Sequence, residues 1–358
     1  MKLILINNYE IPFSKSMDLY TKSIQKGLKK KIKVQIIYPK KFLNKIDFKI
    51  YFIKKWLGYI DKYLIFGIKI FFTLNRKDIV HICDQANSIL FPFIRSKYKI
   101  ITCHDLIMVN YSRQKNNKLN FFGKIYQKLI LYYLIKFENI ICVSKHTLNN
   151  LSKFKKISNG NIKVVYNSFN KKDFNTNFNK KIIHDEYFLH VGADIFYKNK
   201  KNLIKIYSEF FKRNKKFKLV LAGGKNSKKI LNLVKKLKLQ NEVIEIYKPN
   251  FNELKSLYIN AKALIFPSIY EGFGRPIIEA QALGCPVFTS DLSPMNEIGL
   301  DTVYYIDPFN PKKSARIISN KIKSKKKIIF KAYKNAKRFD ENLISNQLLN
   351  YYKKIYKS

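Results

Sequence analysis

The stretch of sequence that says most about this chain is Pro267-Ser-Ile-Tyr-Glu-Gly-Phe-Gly-Arg-Pro-Ile-Ile-Glu-Ala-Gln-Ala-Leu-Gly-Cys-Pro286. A short apolar run over 263–266 precedes it and predicts a buried strand. A glycine-containing loop follows, and Pro276 suits the start of a helix that Gly284 ends. A strand, a loop and a helix N-terminus in this order present backbone amides and the positive end of a helix dipole to an anion.

Two carboxylates bracket this predicted anion site. Glu271 stands just before the loop, and Glu279 lies about one turn into the helix. Gly272 and Gly274 have no side chain that would block a phosphate. Because amides suit a phosphate and carboxylates suit hydroxyl groups, we expect a phosphate ester that carries hydroxyl-rich groups.

The pattern Glu-Gly-Phe-Gly-x-Pro-x-x-Glu-Ala, with Pro-Ser before it and Gly-x-Pro-Val after it, resembles the signature of retaining glycosyltransferase family 4 of the bacterial cell-surface polysaccharide type. The whole pattern in register is far more specific than a lone Gly-x-Gly. The resemblance implies a GT-B fold, with two doubly wound Rossmann-like α/β domains facing a cleft and a C-terminal helix crossing back to the first. It also implies transfer of a sugar from a nucleotide-diphospho-sugar to a lipid-linked or surface glycan, such as lipopolysaccharide or O-antigen, with retention of configuration.

Apolar runs along the chain agree with this fold class. Twelve strand-like runs alternate with helix-like stretches, which is typical of parallel sheets flanked by helices. At 358 residues two domains are expected. We predict an acceptor-side domain over 1–168, a polar linker over 169–185, a nucleotide-sugar-binding domain over 186–335, and a helix over 336–358 that packs on the first domain.

The resemblance assigns roles to the residues of the signature and to one histidine. Glu271 would contact the donor sugar, Glu279 would hold the ribose hydroxyls, and the loop Gly272-Phe273-Gly274 with Arg275 would bind the diphosphate. His104, in Thr102-Cys-His-Asp105, follows a predicted strand and resembles the histidine that faces the donor sugar. The carboxyl end of a strand in an α/β domain is also where ligands bind. His104 and Glu271 are therefore the candidate catalytic residues.

Two glycine turns complete the predicted nucleotide site. Gly192 follows a strand that resembles the first strand of the second domain, and Gly223 ends a strand that resembles the one passing close to the nucleotide. The family carries an arginine just after the first glycine, where this chain has Ala193. A lysine some residues later is present, but both Lys198 and Lys201 fit the pattern, with Lys198 preferred for its distance from Gly192. Arg275 is a candidate replacement for the missing charge.

The loop at 7–14 lacks the glycine pair that the family commonly has there, which leaves its contacts with the acceptor open. The sequence contains no Asp-x-Asp pair of the kind that holds a divalent cation in the other main glycosyltransferase fold. We therefore expect no metal and no cofactor, with amides, lysine and arginine neutralising the diphosphate. No residue is assigned as a covalent nucleophile.

The net charge of +46 is carried mainly by lysine, since only seven of the 70 basic residues are Arg. Codon bias in an AT-rich genome and a physical role explain this composition about equally well. If the charge has a role, an anionic membrane surface is the first partner, at about 1 kcal/mol per nearby cation. Nucleic acid is the second, and the scarcity of arginine and the lack of a recognition fold argue against it.

Residues 42–76 interleave Phe, Ile, Leu and Trp56 with lysines such as Lys54 and Lys55. This composition suits an amphipathic helix in a membrane interface. The alternative, a core-packing helix with solvated lysines, is favoured because doubly wound folds need such helices. The face is nevertheless a candidate for peripheral association with anionic lipid.

Cysteine usage and the N-terminus point to a cytoplasmic protein, peripheral at the inner face of the cell membrane if the charge has a role. The four cysteines lie in or beside apolar runs without metal-binding spacing, which is typical of buried thiols in a reducing compartment. The apolar segment at the N-terminus is too short for a signal peptide. Two other functions remain open: a GT-B-like nucleotide-sugar epimerase and a basic nucleic-acid- or membrane-binding protein.

Overall fold

The computed structural model describes residues 1–8, 15–43, 51–156, 161–170, 181–323 and 326–357. The chain divides into two compact units, Met1–Ser168 with Glu341–Ser358, and Phe169–Asp340. Parts of three sequence predictions lie outside the described residues: the loop at 9–14, residues 44–50 of the 42–76 stretch, and residues 171–180 of the linker.

The first unit is a parallel sheet with helices between its strands. Its strands are β1 (Lys2–Ile6), β2 (Lys33–Ile37), β3 (Ile79–Ile82), β4 (Tyr98–Cys103), β5 (Asn139–Cys142) and β6 (Ile162–Val164). Its helices between the strands are α1 (Lys15–Leu28), α2 (Tyr51–Tyr59), α3 (Phe66–Thr73), α4 (Ile107–Ser112), α5 (Phe121–Leu134) and α6 (Lys145–Leu151). A π-helical segment, Ile60–Ile65, joins α2 to α3, and a 3-10 helix covers Gln85–Phe93.

The six strands lie in the order β2-β1-β3-β4-β5-β6, all parallel. Side chains of β1 alternate between two cores, because successive residues of a strand point to opposite faces. Ile4 and Ile6 pack with Phe66 and Ile70 of α3. Leu3 and Leu5 pack on the other face, so both faces of the sheet are buried, as expected for a doubly wound domain.

The second unit repeats this architecture. Its strands are β7 (Tyr187–Val191), β8 (Lys218–Gly223), β9 (Val243–Tyr247), β10 (Ala263–Phe266), β11 (Val287–Ser290) and β12 (Tyr304–Ile306). Its helices are α7 (Lys200–Phe211), α8 (Lys228–Lys236), α9 (Phe251–Asn260), α10 (Arg275–Ala282), α11 (Met295–Gly299), α12 (Pro311–Lys321) and α13 (Lys326–Ala336). Short 3-10 helices cover Phe196–Lys198, Leu300–Thr302 and Lys337–Phe339.

The strand order of the second unit is β12-β11-β10-β7-β8-β9. Counted from β7, this is the strand order of dinucleotide-binding domains, in which the winding direction reverses between the first and fourth strands. Here those strands are β7 and β10, with Leu189 opposite Leu264. The ends of β7 and β10 are therefore the place in this unit where a ligand is expected.

The last helix, α14 (Glu341–Lys357), belongs to the first unit. Its buried face, including Leu348 and Tyr352, joins the core beside Leu3 and Leu5. Tyr352 places its hydroxyl 2.7 Å from His81 Nδ1 on β3. A Cβ added at Gly27 of α1 would collide with the Ser345 side chain, so the glycine permits the close approach of α1 and α14. The returning helix begins at Glu341, whereas the predicted one begins at 336.

All twelve predicted strands are present. The four cysteines are buried thiols, as predicted. In the 42–76 stretch Phe66, Ile70 and Leu74 pack in the core, which confirms a core-packing role for α3. The expectation of solvated lysines is wrong for Lys62, which is 6% exposed and whose pKa is lowered to about 8 by burial. Within the described residues, no helix is long and apolar enough to span a bilayer.

Candidate functional site

The ends of β7 and β10 bring together residues that are far apart in the sequence. The turn after β7 carries Gly192 and Lys198, and the loop after β10 carries Glu271. A backbone hydrogen bond of 2.8 Å from Ile269 N to Tyr197 O ties the two segments together. The residues predicted for the donor site on these two segments therefore lie in one cluster at the switch point of the second unit.

The glycine loop leads directly into α10. Gly274 precedes the helix with a φ of +98°, a left-handed conformation that favours glycine. Pro276 is in the first turn, as predicted, and no side chain caps the helix start within the described residues. Phe273 is buried with its ring against Phe339 at 5.5 Å, so it anchors the loop rather than projecting from it.

Lys198 forms an ion pair with Glu271. The ammonium nitrogen lies 2.7 Å from Glu271 Oε1 and 4.8 Å from the centre of the Phe266 ring. Both side chains are largely buried, at 13% and 10% exposure. This ion pair, largely removed from water and packed on an aromatic face, places a positive charge beside the glycine loop.

Glu279 is held by two donors. Arg275 Nε donates to Oε1 at 2.7 Å, and the Tyr258 hydroxyl donates to Oε2 at 3.0 Å. Burial, with the negative charge of Glu279, raises the pKa of Tyr258 well above its ordinary value, so the hydroxyl stays protonated and donates. Each carboxylate oxygen keeps a second acceptor position, which leaves Glu279 able to bind a hydroxyl group.

Gly192 and Gly223 are required by a close approach of their two turns. Gly192 has a φ of +156° and Gly223 a φ of +138°. A Cβ on Gly223 would lie 2.7 Å from Gly192 O, and a Cβ on Gly192 would lie 3.3 Å from Lys198 Cδ. A larger residue at position 223 would therefore push the two turns apart, and one at position 192 would press on the Lys198 side chain.

The structure distinguishes the two candidate lysines. Asn199 takes a left-handed conformation with a φ of +57°, and its side-chain amide donates to Pro267 O and Pro308 O. This turn directs Lys198 to Glu271. Lys201 lies in the first turn of α7 and is exposed, apart from the cluster. Ala193, at the position of the family's arginine, is also exposed.

Two buried residues near the site had no predicted role. Tyr258 lies in α9, and nothing in its helical context marks it as a partner of Glu279. Lys200 is 2% exposed and donates to Asn226 Oδ1 at 2.6 Å, and Asn226 donates to Glu245 at 2.8 Å. Burial lowers the pKa of Lys200 to about 8.

A cavity of about 410 Å³ lies at the ends of β8 and β9, next in sequence to Gly223. Gly224, Asn226, Glu245 and Tyr247 are among its lining residues. The polar network that starts at Lys200 therefore reaches the wall of an open space beside the glycine turn.

His104 belongs to the first unit, at the end of β4. It is 5% exposed, and its Nε2 donates to Cys83 O at 2.8 Å, since a carbonyl oxygen accepts. Tyr20 packs edge-on against the ring at 4.8 Å. Burial lowers the pKa of His104, so the ring is neutral near pH 7 and Nδ1 carries a lone pair that accepts a hydrogen bond.

Comparison with known proteins identifies the family. Residues 171–343 match the family model described as glycosyl transferases group 1. The O-antigen chain mannosyltransferase RfbU of Salmonella typhimurium is 30% identical over 262 residues, covering 71% of this chain and 67% of the relative. The chain belongs to the group 1 glycosyl transferases. The chain is also 26% identical to the O-antigen biosynthesis glycosyltransferase WclY of Escherichia coli, over 79% of this chain and 80% of WclY.

Solved structures with a similar fold cover both units of the chain. HepE of Anabaena aligns with a TM-score of 0.74 at 16% identity, over 98% of each chain. Sucrose-phosphate synthase of Thermosynechococcus elongatus aligns with a TM-score of 0.76 at 15% identity, over 100% of each chain. With the two parallel six-stranded sheets, these likenesses establish the two-domain α/β GT-B fold.

Proposed function

We propose that this glycosyltransferase moves a hexose from a nucleotide-diphospho-sugar to a glycan acceptor, with retention of configuration and without a metal, as a member of family 4. The observation that carries the proposal is the pair of cation–carboxylate contacts that flank the glycine loop. Lys198 pairs with Glu271 before the loop, and Arg275 pairs with Glu279 after it.

These contacts fit the charges of such a donor. Lys198, Arg275 and the N-terminal end of α10 supply positive potential for the diphosphate. Glu279, held by Tyr258 and Arg275, accepts from the ribose hydroxyls. Glu271 lies next to Lys198, the cation proposed to bind the diphosphate, and suits a hydroxyl of the sugar. The sequence resemblance assigns His104 to the same sugar, and its neutral ring suits a hydroxyl donor.

The reaction we propose breaks the bond between the anomeric carbon and the diphosphate oxygen. The electron pair stays on the diphosphate, where fixed cations stabilise the developing charge. An acceptor hydroxyl forms the new bond on the same face of the sugar, and its proton passes to the departing diphosphate. The lack of an Asp-x-Asp pair, together with Lys198 and Arg275 at the site, supports neutralisation without a metal.

The relatives suggest the sugar and the acceptor class. RfbU is named for mannosyl transfer to the O-antigen chain, as is mannosyltransferase B of Escherichia coli. The HepE structure holds UDP and glucose. We therefore propose mannose as the first sugar to test and a surface polysaccharide or its lipid-linked precursor as the acceptor. Four buried free thiols support a cytoplasmic location.

Thermal-shift measurements against UDP-, GDP-, dTDP- and ADP-sugars test the donor. We expect one nucleotide-sugar to raise the melting temperature of the wild type and to have little effect on Lys198→Met. Transfer to an acceptor glycan, followed by NMR of the new anomeric bond, tests retention. Isomerisation of the free donor without an acceptor would instead support the epimerase, and a product of inverted configuration would overturn the proposed mechanism.

A further inference from the structure

The helical run 51–73 of the first unit exposes large apolar side chains along one side. They recur at spacings of three or four residues: Ile53, Trp56, Ile60, Leu64, Ile68 and Phe72, with exposures from 36% to 76%. In an α-helix of 3.6 residues per turn, side chains four residues apart move gradually around the helix axis. The π-helical segment Ile60–Ile65 has more residues per turn, so it turns the stripe back and keeps it on one side. Phe66 and Ile70 of the same run pack in the core, so the exposed stripe is its other side.

Helix α5 presents a second stripe of the same kind. Its exposed apolar residues are Phe121, Phe122, Ile125, Leu129 and Tyr132, from 38% to 70% exposed. The stripes meet where the Trp56 and Phe122 rings pack edge to face at 5.4 Å. Tyr63 and Tyr126 join the two helices further along through a 2.7 Å contact between hydroxyls.

A groove of about 250 Å³ lies between the stripes, and half of the residues that line it are aromatic. Four of the residues that line it, Trp56, Phe122, Ile125 and Leu129, belong to the exposed stripes, so the groove opens on the same surface. We call the two stripes and this groove the apolar face. Contiguous exposed apolar surface of this kind marks an interaction site.

The charges around the apolar face have one sign. Among residues 51–73 and 121–134 the single acidic residue is Asp61, which is buried and accepts from the amides of Phe42 and Leu43. Exposed lysines stand on both helices, Lys69 on α3 and Lys128 on α5. A second copy of the chain would bring these lysines against each other, whereas an anionic surface attracts them.

We propose that the apolar face docks on an anionic lipid bilayer, with α2, α3 and α5 lying in the plane of the interface and the groove taking lipid hydrocarbon. The run 51–73 carries too many charges to cross a bilayer, and aromatic and aliphatic side chains beside lysine suit the interfacial position. This docking goes beyond the proposed transfer reaction, and its test uses no donor.

Trp56 is the only tryptophan of the chain, so its fluorescence reports on the apolar face alone. We expect its emission to shift to shorter wavelength with vesicles of phosphatidylglycerol and phosphatidylcholine but not with phosphatidylcholine alone. Brominated acyl chains should quench it. Flotation of the protein without quenching by brominated lipid would place the contact elsewhere and overturn the proposal. The same shift in concentrated protein without vesicles, together with a dimer in sedimentation, would overturn it in favour of self-association.

Matched variants complete the test. Leu64→Ser with Phe121→Ser should lower flotation by about tenfold or more, since two exposed apolar side chains are lost. Phe309→Ser with Phe330→Ser, at 64% and 63% exposure in the second unit, is the control and should float like the wild type.

Lys69→Glu with Lys128→Glu should weaken binding more than Lys228→Glu with Lys229→Glu on α8. Equal effects of the test and control pairs would contradict docking through this face.

Discussion

Lys198 Nζ lies 2.7 Å from Glu271 Oε1, so this lysine beside the glycine loop is paired with a carboxylate. A donor diphosphate competes with Glu271 for the same ammonium group. Since Lys198 also lies over the Phe266 ring, it has little freedom to turn elsewhere. In the proposed function, this pair sets the position at which the diphosphate charge would be received.

The first prediction separates the two candidate lysines. Lys198→Met should weaken donor binding by tenfold or more, because a charge-assisted hydrogen bond of about 1.5–3 kcal/mol is lost. Lys201→Met removes an exposed lysine from the first turn of α7 and should leave the affinity near that of the wild type. Isothermal titration calorimetry with the donor found in the thermal-shift screen measures both. Equal losses in the two variants would count against the assigned site.

A second prediction concerns Glu279 and the tyrosine that holds it. Glu279→Ala should weaken donor binding by about 1.5–3 kcal/mol without unfolding the protein. Tyr258→Phe should cost less, about 0.5–1.5 kcal/mol, because it removes a neutral hydrogen bond that orients the carboxylate. The double variant should lose less than the sum, since the tyrosine acts through Glu279.

The control for the Glu279 and Tyr258 variants is a ligand that cannot make the ribose contact. A nucleoside diphosphate that lacks both ribose hydroxyls should bind the wild type and Tyr258→Phe alike. If Tyr258→Phe weakens that analogue as strongly as the natural nucleotide, the tyrosine supports the site in general and does not act through the ribose.

The third prediction is that EDTA leaves transfer unchanged. The proposed function assigns neutralisation of the diphosphate to Lys198 and Arg275, and the sequence has no Asp-x-Asp pair. Initial rates with and without chelator, on enzyme first dialysed against it, measure the effect. Loss of activity that manganese or magnesium restores would refute metal independence.

The fourth prediction concerns acid stability and a histidine of β7. Burial, aided by the charge of Lys200, lowers the pKa of His190 to about 3 from the usual 6.5. Between these values the unfolded chain binds a proton that the folded chain does not, so the free energy of unfolding falls as the pH falls from about 6.5 to about 3. Denaturant titrations across this range measure the slope.

His190→Leu should reduce that slope by the share of one histidine, even if it lowers stability at pH 7 through the lost bond to Ile265 O. His184→Gln, at an exposed histidine, should keep the slope of the wild type. An unchanged slope in His190→Leu would mean that the histidine does not resist protonation in the folded state.

Much of the fold follows from local sequence. Runs such as Ile79–Ile82 and Ala263–Phe266 are apolar without interruption, because parallel strands are buried on both faces. The signature loop was also predictable from the sequence, since glycine and proline at fixed spacing set the turn and the helix start within a few residues. Its strand, its left-handed Gly274 and the helix start at Arg275 all lie within one short segment.

The doubly wound class, the glycine loop and the two carboxylates beside it therefore follow from the amino-acid sequence alone. The tertiary structure alone decided that Lys198 rather than Lys201 meets Glu271, because a left-handed turn at Asn199 sets its direction. It alone joined Tyr258 to Glu279. It also decided which side of α5 stays exposed. These side-chain contacts and the exposure of α5 depend on which elements, distant in the sequence, pack together. Local sequence patterns do not determine that packing.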